Sequence, residues 1–250
     1  MITIILAAGY GTRLYPLTLN KPKALLEVGK KTILDRLVEN ITRIGSCGKI
    51  YIVTNEKFHR NFGDWAGNAG YPVPIEAVND GTLSNETRLG AIGDINFVLE
   101  KVKPSEDLLI TGSDNLFDLE LEDFVKFASL KRPHPSIVLV DVKDTELAKK
   151  YGICSLDGES RVLSFEEKPE VPGSTLAATA LYFVPKESIN GIYEYVKTDL
   201  PKDAPGNLMK WFAREYALYG FVMDKEWYDI GDKESLRKAD EEFTGKEKGK

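Results

Sequence analysis

Two carboxylates and a group of three cations, far apart in the chain, carry the chemistry that this sequence offers. Arg13, Lys21 and Lys23 follow closely on Gly9 and Gly11 within IILAAGYGTRLYPLTLNKPKALL, residues 4–26. Glycines let backbone N–H groups approach an anion, and cations behind them neutralise its charge, so this stretch suits a phosphate ligand. An ordinary strand-to-helix turn is the alternative, because a lone pair of glycines is a weak signal. Two common phosphate loops do not fit. The Walker A spacing is missing, and a dinucleotide fingerprint needs a glycine where Leu14 stands and a helix that Pro16 interrupts. Asp114, in TGSDN, follows an apolar run ending at Thr111, and Asp229 stands in WYDIGD. A carboxylate at the end of a strand can hold Mg²⁺ between phosphate oxygens, since that ion prefers oxygen ligands and keeps several waters. Either aspartate could instead cap the helix that follows, although Asp232 is better placed than Asp229 for that task. Glu167-Lys168-Pro169 adds a lysine before proline at a strand end, which by itself is an ordinary surface charge.

These residues need a frame that brings them together. The first half of the chain alternates between the two hydrophobic periods. Strands are predicted over 2–7, 49–54, 73–78, 107–111 and 136–142. Between them, helical spacing marks Ile33 to Ile44 behind a Thr32 N-cap with a stop at Gly45, a short helix over 58–65, Ile92 to Val102, and 121–130. Alternating strands and helices imply a parallel sheet covered on both faces, with ligands at the carboxyl ends of the strands. Residues 9–13 and 113–115 both fall at such ends. The second half is more mixed: a hairpin over 151–156 and 162–166 around Asp157-Gly158, a strand over 178–184, and helices over 189–196, 209–216 and 233–243. Extended segments are predicted over 217–223 and 227–230, and a frayed polar tail from Gly245. No linker divides the chain. One domain over 1–243 is expected, its first half facing the nucleotide and its second half the substrate, followed by a polar tail over 244–250.

Bulk properties narrow the setting. At 250 residues with 42% hydrophobic and 29% charged, the composition is that of a globular protein with a sizeable core. A net charge of −6 gives no general attraction to nucleic acid or an anionic membrane, so any anion site must be local. Cys47 and Cys154 form no C-x-x-C pair or disulfide framework, and there is neither an apolar leader nor a run long enough to span a bilayer. A cytoplasmic location is expected. His59 and His134 lie far apart without flanking ligands, which argues against a zinc site or a histidine triad.

The string LAAGYGTRLYPLTLNKPKALLEVGKKTIL resembles the signature of the sugar-1-phosphate nucleotidyltransferases, G-x-G-T-R-L followed by P-K-[AP]-[LM]. TGSDN is similar to the family's G-D-[NS], with Ser113 in place of a glycine, and WYDIGD to its W-x-D-x-G. Glu167-Lys168-Pro169 resembles E-K-P, and Tyr151-Gly152 the family's Y-G, whereas Ala180 departs from the glycine of T-G-[LI]-Y. The resemblance covers roughly residues 1–240. It implies an α/β fold: a Rossmann-like three-layer nucleotidyltransferase fold with a mixed, mostly parallel central sheet. The implied activity joins a nucleoside triphosphate to a sugar-1-phosphate, giving a nucleotide-sugar and pyrophosphate, most readily glucose-1-phosphate with dTTP or UTP.

By the same resemblance, Leu6, Ala7, Ala8, Gly9, Gly11, Thr12, Arg13 and Lys23 bind the nucleotide together with Asn79, Gly81 and Asp114. Arg13 would stabilise the departing pyrophosphate, Lys23 would sit near the α-phosphate, and Lys168 would hold the attacking phosphate. On the substrate side Glu167 binds a ring hydroxyl of the sugar beside Lys168, Tyr151 and Gly152 lie next to the sugar, and Asp114 and Asp229 hold Mg²⁺ as cofactor. Asn79 stands where relatives read the base with an amide one methylene longer. Glu86 and Arg88 are either cleft residues or the first turn of an exposed helix, and Arg88 is read as the latter. The expected partners are a nucleoside triphosphate and a sugar-1-phosphate, without nucleic acid or membrane; a homo-oligomer is left open. Two other readings stand beside this one. One is a cytidylyltransferase acting on a phospho-alcohol such as phosphocholine, and the other is a non-catalytic regulatory subunit, which would be expected to lose Arg13 or the aspartates.

Overall fold

The computed structural model describes residues 1–248. Its first half contains strands β1 (Ile2–Leu6), β2 (Glu27–Val28), β3 (Lys31–Thr32), β4 (Lys49–Thr54), β5 (Ile75–Asn79), β6 (Leu108–Gly112) and β7 (Asn115–Phe117). Helices α1 (Ile33–Thr42), α2 (Glu56–Asn68), α3 (Ala91–Val102) and α4 (Leu121–Leu130) alternate with them. The second half adds β8 (Ser136–Asp141), α5 (Thr145–Ala148), β9 (Gly152–Leu156), β10 (Val162–Glu167), β11 (Leu176–Val184), α6 (Ile189–Val196) and α7 (Pro205–Glu215). β12 (Tyr219–Met223), β13 (Trp227–Asp229) and α8 (Lys233–Lys248) follow.

β1 lies inside the sheet because its five residues, ITIIL, carry no charge and can be buried on both faces. It pairs in parallel with β4 and β6, and β4 pairs in parallel with β5. β11 then joins β6 antiparallel, with β8 on its other edge and β12 parallel beyond β8. The β9–β10 hairpin attaches to the first residues of β11. In this nine-stranded sheet only β11 and β10 run against the rest, so it is mixed and mostly parallel.

Side chains of β1 point alternately to two apolar layers. Ile4 packs with Ile92, Ile95 and Val98 of α3 and with residues of α6 and α7. Ile5 packs with Leu34, Leu37 and Val38 of α1 and with residues of α2 and α4. Helix, sheet and helix therefore make three layers. Each such buried side chain contributes roughly 2 kcal/mol from burial.

Local signals set most of the boundaries. Thr32 caps α1 in a capping box, its hydroxyl accepting from the Asp35 N–H at 3.0 Å while the Asp35 carboxylate accepts from the Thr32 N–H at 3.1 Å. α2 is longer than the predicted 58–65, because Asn55 starts it earlier by accepting the Phe58 N–H at 3.1 Å. α7 begins at Pro205 rather than at Met209, since proline is well tolerated in the first turn. α8 continues to Lys248, so the frayed tail expected from Gly245 is helical up to that residue; residues 249–250 lie outside the described ones. No helix among the described residues is long and apolar enough to cross a membrane.

Candidate active site

The glycine stretch leaves β1 at its carboxyl end and is fixed from several sides. The Ala7 N–H donates to the Val53 carbonyl at 2.9 Å, and the Asn55 amide donates to the Ala8 carbonyl at 2.8 Å. Gly11 has φ of 62°, a left-handed conformation that glycine adopts without strain, and the Thr18 hydroxyl donates to its carbonyl at 2.7 Å. A short 3₁₀ turn, Thr12–Leu14, then points Arg13 back towards Gly231, where a Cβ would lie 3.6 Å from the guanidinium.

The two candidate metal ligands meet although 115 positions separate them (229 − 114). β7 begins directly after Asp114 and pairs antiparallel with β13, which sets Asp229 opposite Asn115. The Ile230 N–H donates to the Asp114 carbonyl at 2.9 Å, and the Trp227 indole donates to the Asn115 side chain at 2.7 Å. Asn115 in turn donates to Asp114 Oδ1 at 2.8 Å, and Lys23 Nζ donates to Asp114 Oδ2 at 2.5 Å.

Electrostatics separates the two acids. Burial would raise Asp114, but the Lys23 ammonium and its hydrogen bond outweigh that and hold the carboxyl below its ordinary value. Among the described residues Asp229 has no such ion pair. Burial, and next the charge of Asp114, push it up to about 6 against the pull of Lys23 and Arg13. Two carboxylates sharing partly neutralised negative charge, beside a glycine loop, form a donor set that fits a hard divalent cation completing its shell with phosphate oxygens and water. Among the described residues there is no cluster of three or more histidine, cysteine or acidic side chains that could hold a metal alone.

A cleft of about 420 Å³ opens above these residues. Leu6, Ala7, Ala8, Gly9, Gly11, Thr12, Arg13, Lys23 and Asp114 all line it. Asn79 and Gly81 do not. The Asn79 amide donates to Glu56 at 2.5 Å and its oxygen accepts from the Gly81 N–H at 2.8 Å, which turns the side chain back on α2. The wall there is formed by Tyr10, Asn85 and Arg88, so Arg88 belongs to the cleft and precedes α3 instead of forming its first turn. Arg88 is held there by Asp203 at 3.2 Å.

The residues expected on the sugar side, Tyr151, Gly152, Glu167 and Lys168, do not line this cleft and are gathered by the β9–β10 hairpin. Glu167 pairs with Gly152 in register, and the Lys168 N–H donates to the Tyr151 carbonyl at 3.0 Å. Lys168 has φ of 48°, which turns the chain out of β10 at this point. Glu167 is pushed up by burial, against the pull of Lys168 and Lys210, and packs against Gly206, next to the cleft-lining Pro205. Tyr151 packs at a tilt of 60° against Trp227, ring centroids 4.9 Å apart, in a second pocket that also contains Asp229, Tyr228, Lys238, Glu241 and Glu242.

The model of the nucleotidyl transferase family matches residues 2–246. The chain belongs to that family. Among its relatives, the bifunctional protein GlmU of Methanocaldococcus jannaschii is 27% identical over 235 residues, 92% of this chain and 51% of that protein. The UTP–glucose-1-phosphate uridylyltransferase AglF of Haloferax volcanii is 30% identical over 185 residues, 73% of this chain and 71% of that one. The chain spans about half the length of several curated relatives it matches. Its fold is shared with a solved UDP-glucose pyrophosphorylase complexed with UDP-glucose, at a TM-score of 0.84 and 20% identity over 98% of both chains. A Bacillus anthracis protein assigned as a glucose-1-phosphate thymidylyltransferase has a TM-score of 0.83 and 22% identity, over 98% of this chain and 96% of that one.

Asp94, Asn85 and Asp203 line the cleft without any expectation from the sequence; of Glu86 and Arg88, both weighed as cleft residues, only Arg88 lines it. One signal was available for Asp94: it stands four residues before Val98, on the apolar side of α3.

Proposed function

We propose that this chain transfers a nucleotidyl group from a nucleoside triphosphate to a sugar-1-phosphate, most readily from dTTP or UTP to glucose-1-phosphate. The observation that carries the reading is the meeting of Asp114 and Asp229 beside Lys23 and Arg13, at the mouth of the glycine loop. In this reaction an oxygen of the sugar phosphate attacks the α-phosphorus as the bond to the pyrophosphate breaks, so catalysis consists of positioning and charge neutralisation. Arg13 neutralises the departing pyrophosphate, Lys23 sits by the α-phosphate, Lys168 holds the attacking phosphate, and Glu167 accepts from a ring hydroxyl of the sugar. Mg²⁺, held by Asp114 and Asp229, would supply further charge neutralisation at the phosphate oxygens. Two buried, unpaired thiols, Cys47 and Cys154, agree with a cytoplasmic setting.

One observation favours a second reading. The pocket around Tyr151, Trp227 and Tyr228 carries three acids, Asp229, Glu241 and Glu242, against one cation, Lys238, an aromatic and net acidic lining that suits a quaternary ammonium, as in a phosphocholine acceptor.

Pyrophosphate release with Mg²⁺, across nucleoside triphosphates against glucose-1-phosphate, other sugar phosphates and phosphocholine, tests both. Release with UTP or dTTP and glucose-1-phosphate is expected. A signal confined to CTP with phosphocholine would favour the second reading. Silence throughout, from protein that still binds nucleotide, would overturn both. Arg13→Ala and Asp114→Asn are each expected to lower turnover by orders of magnitude with the fold intact, and a fully active Asp114→Asn enzyme would refute the metal assignment.

A further inference from the structure

The cleft contains a second pair of carboxylates that the phosphate chemistry does not use. Asp80 follows β5 and Asp94 lies one turn into α3; they are 7% and 6% exposed. Asp80 Oδ1 accepts from both the N–H and the hydroxyl of Thr82, each at 2.7 Å. Asp80 Oδ2 and Asp94 Oδ1 are buried without a hydrogen-bond partner, and among the described residues no cation pairs with either acid. Two such carboxylates cannot both be ionised at close range in a low-dielectric site, so the pair holds a proton. Burial, followed by the Asp80 charge, pushes Asp94 up to about 8, which makes it the neutral member.

Position then says what this acid faces. Asp94 lines the cleft together with Tyr10, Asn85 and Arg88. In the sheet order β6-β1-β4-β5, Asp114 follows β6 and Asp80 follows β5, on opposite flanks of the glycine loop. Three strand spacings separate those strands, about 14 Å. A nucleotide with its phosphates at Arg13, Lys23 and Asp114 would direct its base towards Asp94.

We propose that Asp94, its proton shared with Asp80, is a specificity-determining residue that accepts the ring N–H of a uracil- or thymine-type base. The inference rests on the nucleotide reading of the cleft given above. Uracil and thymine present acceptor, donor, acceptor along their pairing edge. Asn85 and Arg88 bring donors to the wall on which Asp94 offers an acceptor. Cytosine and adenine lack the ring N–H and would turn a lone pair towards the Asp94 oxygen, and guanine would add an amino group among donors. Because a neutral acid that donates its O–H to a neighbouring carboxylate keeps its carbonyl oxygen free to accept from the cleft, an amide can replace it: the side chain introduced by Asp94→Asn would donate its N–H to Asp80 and keep its oxygen as the acceptor.

The test compares kcat/KM for UTP, dTTP, CTP, ATP and GTP in wild type, Asp94→Asn and Asp94→Ala, with Tm as a check on folding. Asp94→Ala is expected to raise KM for UTP and dTTP about tenfold, the loss of one hydrogen bond, while kcat and the weak activity with CTP stay within about twofold. Asp94→Asn should keep the wild-type preference. N3-methyluridine triphosphate, which lacks the ring N–H, provides a measurement on the wild-type protein alone, and its use as readily as UTP would overturn the proposal. So would an unchanged base preference in folded Asp94→Ala, or a wild-type preference for CTP, ATP or GTP. Calorimetry with UTP separates the two levels: no binding to wild type overturns the nucleotide reading itself, whereas binding with an unaltered base ratio overturns only the role of Asp94.

Discussion

Lys23 is the residue on which the charge balance of the phosphate end depends. Its ammonium is the group that keeps Asp114 ionised despite burial. Lys23→Met would leave that carboxyl without its cation. The expected cost is about 2 kcal/mol in urea denaturation, below that of a fully buried broken pair because both side chains keep some exposure. Asp94 makes the opposite kind of contribution. Its ordinary pKa is 3.8 and its folded value about 8, so the folded protein retains a proton that the unfolded chain releases. Stability therefore falls as pH rises through that window, by at most about 1.4 kcal/mol per pH unit. Asp80 is the charged group against Asp94, and Arg88 and Asp203 share its cleft. Asp94→Asn removes the titration, so its Tm is expected to exceed that of wild type at pH 8 and to match it more closely at pH 5. A variant no more stable at pH 8 than wild type would contradict the buried acid.

At the level of elements, the loop from Asp80 to Gly90 shapes the end of the cleft lined by Asn85 and Arg88, and Gly90 determines how it closes. Gly90 has φ of 78°, and a Cβ there would lie 2.7 Å from the Lys202 carbonyl, so the start of α3 and the segment before α7 touch through this residue. The Ala91 and Ile92 N–H groups donate to the Asp203 and Lys202 carbonyls at 3.2 and 3.0 Å. Gly90→Ala is expected to cost about 2–3 kcal/mol in chemical denaturation and to weaken nucleotide binding, since backbone on both sides resists the methyl group.

This loop is also where the sequence was least informative. The strand ends, the glycine stretch at the end of β1 and the two aspartates that β7 and β13 bring together were legible, because strand period, glycine spacing and the motif order are all written in short stretches of sequence. Asn79 stood at the expected place for an amide towards the base, but Glu56 on α2 captures it, a contact that no local pattern encodes. Asp94 reads in the sequence as an ordinary acid near a helix start. Its burial depends on Gly90 and on the loop that folds over it, which are tertiary facts.

Across the whole molecule, α8 fastens the far end of the chain over the site. Asp232 caps it by accepting the Ser235 N–H at 2.8 Å, Phe243 packs edge-on against Tyr228, and the Arg36 guanidinium lies 4.3 Å from the Phe243 ring centre. The Asp240 carboxylate accepts the Gly29 N–H at 2.8 Å, and Lys246 pairs with Asp118 and Glu226 on the two sides of the β7–β13 ribbon. Phe243→Ala is expected to lower stability by about 1–2 kcal/mol, less than a fully buried aromatic would, because this ring is only partly covered. The ribbon has a consequence for how the protein is made. The phosphate stretch, β6 and Asp114 are synthesised early, whereas Asp229 emerges more than a hundred residues later and reaches Asp114 only through a long-range pairing that is slow to close. A partly synthesised chain thus carries the cations of the phosphate loop and one aspartate but not the second. Under the proposed metal assignment, competence to react would arrive only once β13 has left the ribosome and found its partner, so turnover itself would report that this distant pairing has closed.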